Sequence, residues 1–120
     1  TIKLVHLGDT GYTNDFIEIN KRLGSPDLAF IPIGAYAPRW IMKESHMNPE
    51  EALKTAFDLD AKKSIGMHWG TFILTTEPTE EPRQILENLI NEKDLNKDFF
   101  STILPGDVYL FDWIEKEIKK

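Results

Sequence analysis

The chain has 120 residues, and its 41% hydrophobic and 28% charged residues are typical of one globular domain rather than a disordered or fibrous protein. Its net charge of −6 and pI of about 5.0 argue against a nucleic-acid partner, because phosphate contacts need a basic face. The absence of cysteine excludes disulfides and thiolate metal sites, and no apolar run approaches the ~18 residues of a transmembrane helix.

The first two predicted elements are a strand and a helix. Residues 2–7 are apolar and rich in β-forming side chains, and Gly8 ends the run, which predicts a strand. Asn14 or Asp15 can cap a helix over residues 15–24, where apolar residues recur at spacings of three and four. The apolar stripe of this helix consists of Phe16, Ile19 and Leu23.

The next predicted strand is an almost continuous apolar run over residues 28–36, which is typical of a strand covered on both faces. Pro32 fits best at the end of this strand or on a sheet edge. Residues 34–48 predict irregular chain. A helix is then predicted to begin at Asn48, which can act as its N-cap, with Pro49 in its first position.

The second half of the chain continues the alternation. Residues 63–69 predict a third strand that ends at His68, and residues 80–94 predict a long helix with apolar residues on one face. Residues 99–112 predict a hairpin or two short strands, and residues 114–120 predict a frayed or solvated helix. This order favours an α/β fold, in which functional side chains gather where loops leave the strands.

Three polar side chains occupy positions of this kind. Asp9 follows the first strand in the sequence GDTG, His68 ends the third strand, and His46 precedes the second helix. If these strands are parallel in one sheet, Asp9 and His68 meet at one edge, where an Asp–His pair suits a borderline divalent metal such as zinc. His46 could join them as a ligand, an acid or base, or a phosphate contact. The glycines that would allow backbone to approach an ion closely are Gly8, Gly11 and Gly70.

Each of these residues also has a purely structural interpretation. GDTG alone is a turn sequence. His68 in an apolar run can be a hydrogen-bonded core residue, and His46 can be a surface or capping residue. Arg39 beside Trp40 can be a stacked or salt-bridged surface pair rather than a substrate clamp, and His6 is assigned a structural role. Spacing alone leaves both interpretations open.

Three motifs taken together resemble a known family. They are GDTGY at 8–12, MKESHMNPEEA at 42–52 and MHWGTFIL at 67–74. In this order they resemble the C-terminal half of the metallo-β-lactamase superfamily, and more closely its N-acyl-phosphatidylethanolamine-hydrolysing phospholipase D branch. The stretch at 28–40 resembles the segment between the first two motifs, so the resemblance extends over about residues 4–110. It implies an α/β fold that forms one half of a four-layer αβ/βα sandwich.

The resemblance also implies a site with two zinc ions between the two halves of that sandwich. Asp9 would bridge the two ions and act in catalysis, and His68 would bind one of them. His46 would contact the phosphate or the leaving group. The implied reaction is phospholipase D-like hydrolysis of a phosphodiester or phospholipid-like substrate by a metal-bound hydroxide. The other substrate-binding residues assigned to this site are Tyr12, Arg39 and Trp69.

The family's main metal-binding signature, H-x-H-x-D-H, is absent, and so is a further histidine ligand. We therefore expect residues 1–120 to be one domain cut from a longer hydrolase. We expect it to be inactive alone, because a catalytic zinc normally has three protein ligands. The expected partner is the N-terminal half or a second copy of the chain, since the strands at 28–33 and 64–69 would otherwise expose a large apolar patch.

Two alternatives remain open. One is a non-catalytic remnant or assembly module, in which Asp9 is a turn residue and His68 a core residue. The other is half of a different superfamily hydrolase, such as a sugar-phosphate lactonase. No signal peptide is visible, so we expect a cytoplasmic location, with peripheral membrane association of the parent enzyme as a further option.

Overall fold

The structure, a computed structural model, describes residues 1–110 of the chain. In chain order the elements are β1 (Leu4–His6), α1 (Asp15–Leu23), β2 (Leu28–Pro32), α2 (Arg39–Met42), α3 (Pro49–Asp58), β3 (Ser64–Met67), α4 (Glu81–Glu92) and β4 (Phe100–Thr102). This alternation confirms the predicted α/β class. None of the helices within residues 1–110 is long and apolar enough to cross a membrane.

Within residues 1–110 the strands form one parallel sheet in the order β1-β2-β3-β4. Val5, Ala29, Ser64 and Phe100 lie in register across it. Because all four strands point the same way, their carboxyl ends meet at one edge of the sheet. The loops that carry the predicted site residues leave the sheet at this edge.

The hydrophobic core lies between the sheet and the helices. Ala29 and Ile31 of β2, and Ile33 just after it, are fully buried there. The helical side chains that pack in the same cluster are Phe16, Ala52, Leu53, Ala56, Leu86 and Ile90. Because β2 is an inner strand of a parallel sheet, its near-continuous apolar sequence is expected.

Helix α3 begins where the sequence predicts. The Glu51 N–H donates to the Asn48 side chain at 2.8 Å, and the Asn48 N–H donates to the Glu51 carboxylate at 3.1 Å. This reciprocal capping box satisfies donors that the first turn leaves unpaired. Pro49 occupies the first turn, where its missing N–H removes no helical hydrogen bond. The cap also positions the segment that precedes α3, which includes His46.

The sheet face opposite the helices is only partly exposed. Leu4, Phe30 and Met67 lie on it, and Leu4 is 60% exposed while the other two are half-buried. Leu28 and Ile65 share this face but are only 6% and 4% exposed. The apolar patch is therefore smaller at the centre of the sheet than the sequence led us to expect.

Several element predictions need correction. Leu23, assigned to the apolar stripe of α1, is 66% exposed, because it is the last residue of that helix and extends past the layer that covers Phe16. The strand predicted over 28–36 ends at Pro32, and a short helix, α2, interrupts the stretch predicted to be irregular.

The predicted hairpin near the C-terminus is also not found within the described residues. Strand β4 pairs in parallel with β3, and a turn over residues 104–107 follows it. Residues 103–110 contain no strand. The rest of the predicted hairpin, and the predicted helix at 114–120, lie outside the described residues.

Candidate functional site

Two glycines allow the loops at the carboxyl edge of the sheet to touch. A Cβ atom on Gly34 would lie 2.2 Å from the carbonyl oxygen of His68, so only glycine permits this approach of the loop after β2 to the end of β3. A Cβ atom on Gly11 would lie 2.3 Å from the carbonyl oxygen of Glu44, two residues before His46. The GDTG loop, the His46 segment and the end of β3 are thereby brought to one place. The sequence patterns pointed to Gly11 but not to Gly34.

His46 and His68 are neighbours at this edge. Their ring centroids are 5.6 Å apart and their planes are inclined by 34°. His68 is exposed and directly follows β3 with a φ of 62°, a left-handed conformation that is uncommon outside glycine. His46 is half-buried, and its Nδ1 atom is buried without a hydrogen-bond partner among residues 1–110. A buried nitrogen in this state is costly, so it is a natural position for a ligand contact.

Arg39 holds the His46 segment in place. Its guanidinium donates to the carbonyl oxygens of His46 at 3.1 Å and Tyr36 at 3.3 Å, and it pairs with the Glu51 carboxylate at 2.5 Å. The same carboxylate caps α3 through the Asn48 N–H. These contacts of Arg39 are with the protein itself, so its predicted contact with substrate stays a prediction.

Asp9 lies exposed after Gly8, whose φ of +68° turns the chain away from β1. The described residues contain no group of three or more His, Asp or Glu side chains that could hold one metal ion, so Asp9 does not form such a cluster with His46 and His68. A carboxylate and two imidazoles, one of them with a buried Nδ1 that has no partner among the described residues, are nevertheless donors of the type that zinc takes. The site therefore fits a metal in donor chemistry and supplies part of a ligand set.

Tyr12 packs on the helix layer. Its hydroxyl donates to the Asp58 carboxylate, the Lys54 ammonium lies 4.4 Å from its ring centroid, and its ring meets Phe16 edge-on at 6.0 Å. Asp58 and Lys54 both belong to α3, so these contacts anchor the loop after Asp9 on that helix. The substrate-binding role assigned to Tyr12 stays a prediction.

A half-buried carboxylate that the sequence patterns did not reveal joins the loops after β2 and β3. Glu77 accepts hydrogen bonds from the N–H groups of Ala35 and Ala37, at 2.9 Å each, and from the Thr75 hydroxyl at 2.6 Å. Burial raises the pKa of the Glu77 carboxyl, but these hydrogen bonds outweigh burial and hold the pKa below its usual value. Its main-chain partners lie 42 and 40 positions earlier in the chain, so no local motif marks it.

A cavity of about 370 Å³ opens beside His68. Trp69, which the sequence assigned to substrate binding, lines it together with Phe72, Leu74 and Glu77. The structure thus places His68 and Trp69 at one cavity and His46 against His68, while Asp9 and Tyr12 belong to the neighbouring loop.

Comparisons with known proteins agree with the motifs. Residues 1–69 match the family described as a beta-lactamase superfamily domain. The N-acyl-phosphatidylethanolamine-hydrolyzing phospholipase D 1 of Caenorhabditis elegans is 46% identical over 105 residues, which are 85% of this chain and 30% of that protein. The mitochondrial N-acyl-phosphatidylethanolamine-hydrolyzing phospholipase D of Saccharomyces cerevisiae is 48% identical over 88 residues, which are 72% of this chain and 19% of that protein.

A solved structure extends the comparison to the fold. The metallo hydrolase of the hyperthermophilic archaeon Ignicoccus hospitalis superposes with a TM-score of 0.62 at 26% identity, over 92% of this chain and 41% of that one. The chain therefore matches about 40% of the length of this structure, and less than a third of each of the two phospholipases.

Proposed function

The chain belongs to the metallo-β-lactamase superfamily of hydrolases, in its N-acyl-phosphatidylethanolamine-hydrolysing phospholipase D-like branch, and from this premise we propose that it is part of a zinc-dependent hydrolase of phosphodiester or phospholipid-like substrates. One observation carries the proposal. His46 and His68 lie at the carboxyl edge of the sheet with their ring centroids 5.6 Å apart, and the Nδ1 atom of His46 is buried with no partner in the described part of the chain.

In this proposal, the position of each residue in the site determines its role. Asp9 and His68 hold the metal, because they are the exposed carboxylate and imidazole of the two loops at the sheet edge. When bound, zinc supplies Lewis-acid polarisation of a phosphoryl oxygen and lowers the pKa of water. His46 contacts the phosphate or the leaving group. Arg39 and Glu51 keep the His46 segment in place through the hydrogen bond to its carbonyl oxygen.

We further propose that the remaining metal donors come from another polypeptide segment, either the rest of a longer hydrolase or a second copy of the chain. Two observations support this. The described residues hold no group of three metal-binding side chains. On the sheet face opposite helices α1, α3 and α4, Leu4 is 60% exposed while Phe30 and Met67 are half-buried. Alone, the chain is expected to bind zinc weakly and to hydrolyse nothing. A cytoplasmic location belongs to the same proposal.

Zinc titration followed by imidazole NMR tests the metal assignment. The chain has three histidines, and His6 reports non-specific zinc binding, because it is an exposed imidazole away from the His46–His68 pair. We expect the signals of His68 and His46 to move with zinc while those of His6 stay, and Asp9→Ala to weaken the response. Equal movement of all three histidines, or no movement of His68 at millimolar zinc, would contradict the proposal.

A second candidate is a non-catalytic assembly module, which the incomplete donor set favours. It predicts that zinc leaves the signals of His46 and His68 unchanged, and that His68→Ala has no effect beyond stability. The same titration therefore separates the two candidates.

A further inference from the structure

Tyr12 joins the GDTG loop, residues 8–11, to helix α3. It follows Gly11 directly and is three positions after Asp9, the carboxylate that the proposed site uses. The Tyr12 side chain is half-buried, and its hydroxyl donates to the carboxylate of Asp58, the last residue of α3. A hydrogen bond to a carboxylate is among the stronger kinds in proteins. The end of the loop is therefore fixed on a helix.

The same helix holds the His46 segment at its other end. Glu51, in the first turn of α3, accepts from the Asn48 N–H and pairs with Arg39, which donates to the His46 carbonyl oxygen. Asp58 is seven positions after Glu51, so these two carboxylates are about 10 Å apart along the helix axis. One packed helix therefore carries the supports of both the His46 segment and the GDTG loop.

We propose that Asp58 is a positioning residue for the candidate metal site. Through Tyr12 it holds the GDTG loop on α3, and it thereby sets where Asp9 lies relative to His46 and His68. This inference rests on the proposed function, because it concerns the metal ligand that Asp9 provides. Asp58 acts through the orientation of the loop and not as a ligand, as residues behind the ligands commonly do at metal sites. Tyr12 and Asp58 are 46 positions apart, so no local motif marks the pair.

The experiment measures the orientation of the GDTG loop in the metal-free chain. Residual dipolar couplings of the Gly8, Asp9 and Thr10 N–H groups report the directions of these bonds relative to the sheet. Asp58→Ala removes the acceptor, whereas Tyr12→Phe removes only the donor and keeps the ring. We expect both variants to change these three couplings while the couplings of β2 and β3 stay. Asp58→Asn keeps an oxygen acceptor and should restore most of the unmodified values.

Ser25→Ala provides a matched control. The Ser25 hydroxyl donates to the Asp60 carboxylate at 2.6 Å, so this variant also deletes a hydroxyl that donates to an acidic residue near the end of α3. Ser25 precedes β2 and so lies at the amino edge of the sheet, opposite the candidate site. The variant should therefore leave the loop couplings unchanged. The double variant Tyr12→Phe/Asp58→Ala should change them no more than Asp58→Ala does, because both residues act through one hydrogen bond.

A zinc titration adds a readout at the metal site itself. In Asp58→Ala, the zinc concentration that gives half of the His68 response should rise by about tenfold, a typical loss when a residue that orients a metal ligand is removed. Asp9→Ala/Asp58→Ala should need no more zinc than Asp9→Ala alone, because Asp58 acts only through Asp9.

Several results would overturn the inference. Unchanged loop couplings in both Tyr12→Phe and Asp58→Ala would show that the hydrogen bond does not orient the loop. Equal changes in Ser25→Ala would mean a general loosening of the fold, and an unchanged zinc response in Asp58→Ala would mean that the orientation of the loop does not matter to the metal. The couplings are measured without metal. A failure of zinc binding in the unmodified chain therefore refutes the metal assignment, while the test of loop orientation stands by itself.

Discussion

Replacing Gly34 by alanine tests the central contact of the candidate site. The new Cβ atom would lie 2.2 Å from the His68 carbonyl oxygen and 3.1 Å from the Trp69 Cα. Since real Cβ contacts essentially never fall below 3.0 Å, the two loops must separate by about 0.8 Å or more. Both colliding atoms belong to the main chain, which cannot move aside as a flexible side chain could. We expect a loss of about 2–3 kcal/mol in the free energy of unfolding, at the upper end for overpacking.

The same shift should displace His68 relative to His46. Urea unfolding followed by circular dichroism measures the stability, and imidazole NMR measures the displacement as changed signals of both histidines. Gly106→Ala is the matched control, because Gly106 has a φ of +92° but open space around its Cβ position. It should cost about 1–2 kcal/mol through backbone strain and leave both histidines unchanged. A loss of less than about 0.5 kcal/mol in Gly34→Ala, together with unmoved His68 signals, would show that the loops tolerate a side chain at this contact.

Three further predictions concern the residues that support the site. Asn48→Ala removes the cap of α3 and should lower the free energy of unfolding by about 1 kcal/mol, as measured in urea, while Asn48→Asp should retain most of it. Arg39→Ala should change the His46 imidazole signals more than those of His6, because it removes the hydrogen bond to the His46 carbonyl, and Arg39→Lys should restore them only in part. Glu77 has a lowered pKa in the folded chain, so its contribution to stability is present above the unfolded value of 4.5 and is lost as the pH falls through the folded value. Acid unfolding of Glu77→Gln should therefore be less steep below pH 4.5 than that of the unmodified chain.

Each of these predictions has a contrary outcome. A stability of Asn48→Ala equal to that of the unmodified chain would mean that the capping box contributes nothing. Unchanged His46 signals in Arg39→Ala would show that the α3 cap alone positions the segment. If the acid-unfolding curves of Glu77→Gln and the unmodified chain are parallel, the hydrogen bonds from Ala35, Ala37 and Thr75 do not favour the charged carboxyl of Glu77.

Local signals in the sequence were enough for much of the fold. Asn48 followed by Pro49 located the start of α3, and the apolar runs located β2 and β3, because capping groups and strand patterns act over a few residues. The same signals placed Asp9 and His68 after strands, and the structure shows that these strands belong to one parallel sheet. The apolar run predicted that β2 continues past Pro32, where the strand in fact ends. An apolar sequence does not show where the hydrogen bonds to a neighbouring strand stop.

The tertiary structure alone decided how these pieces become a site. Each contact of the site joins residues that lie tens of positions apart in the chain. His46 lies beside His68, Gly34 contacts the His68 carbonyl, and Glu77 joins two loops. The sequence by itself determined which donors are available and which strand each one follows. Distances between loops depend instead on strand order, register and close packing, and these are set by the whole chain because every contact requires the others to be in place.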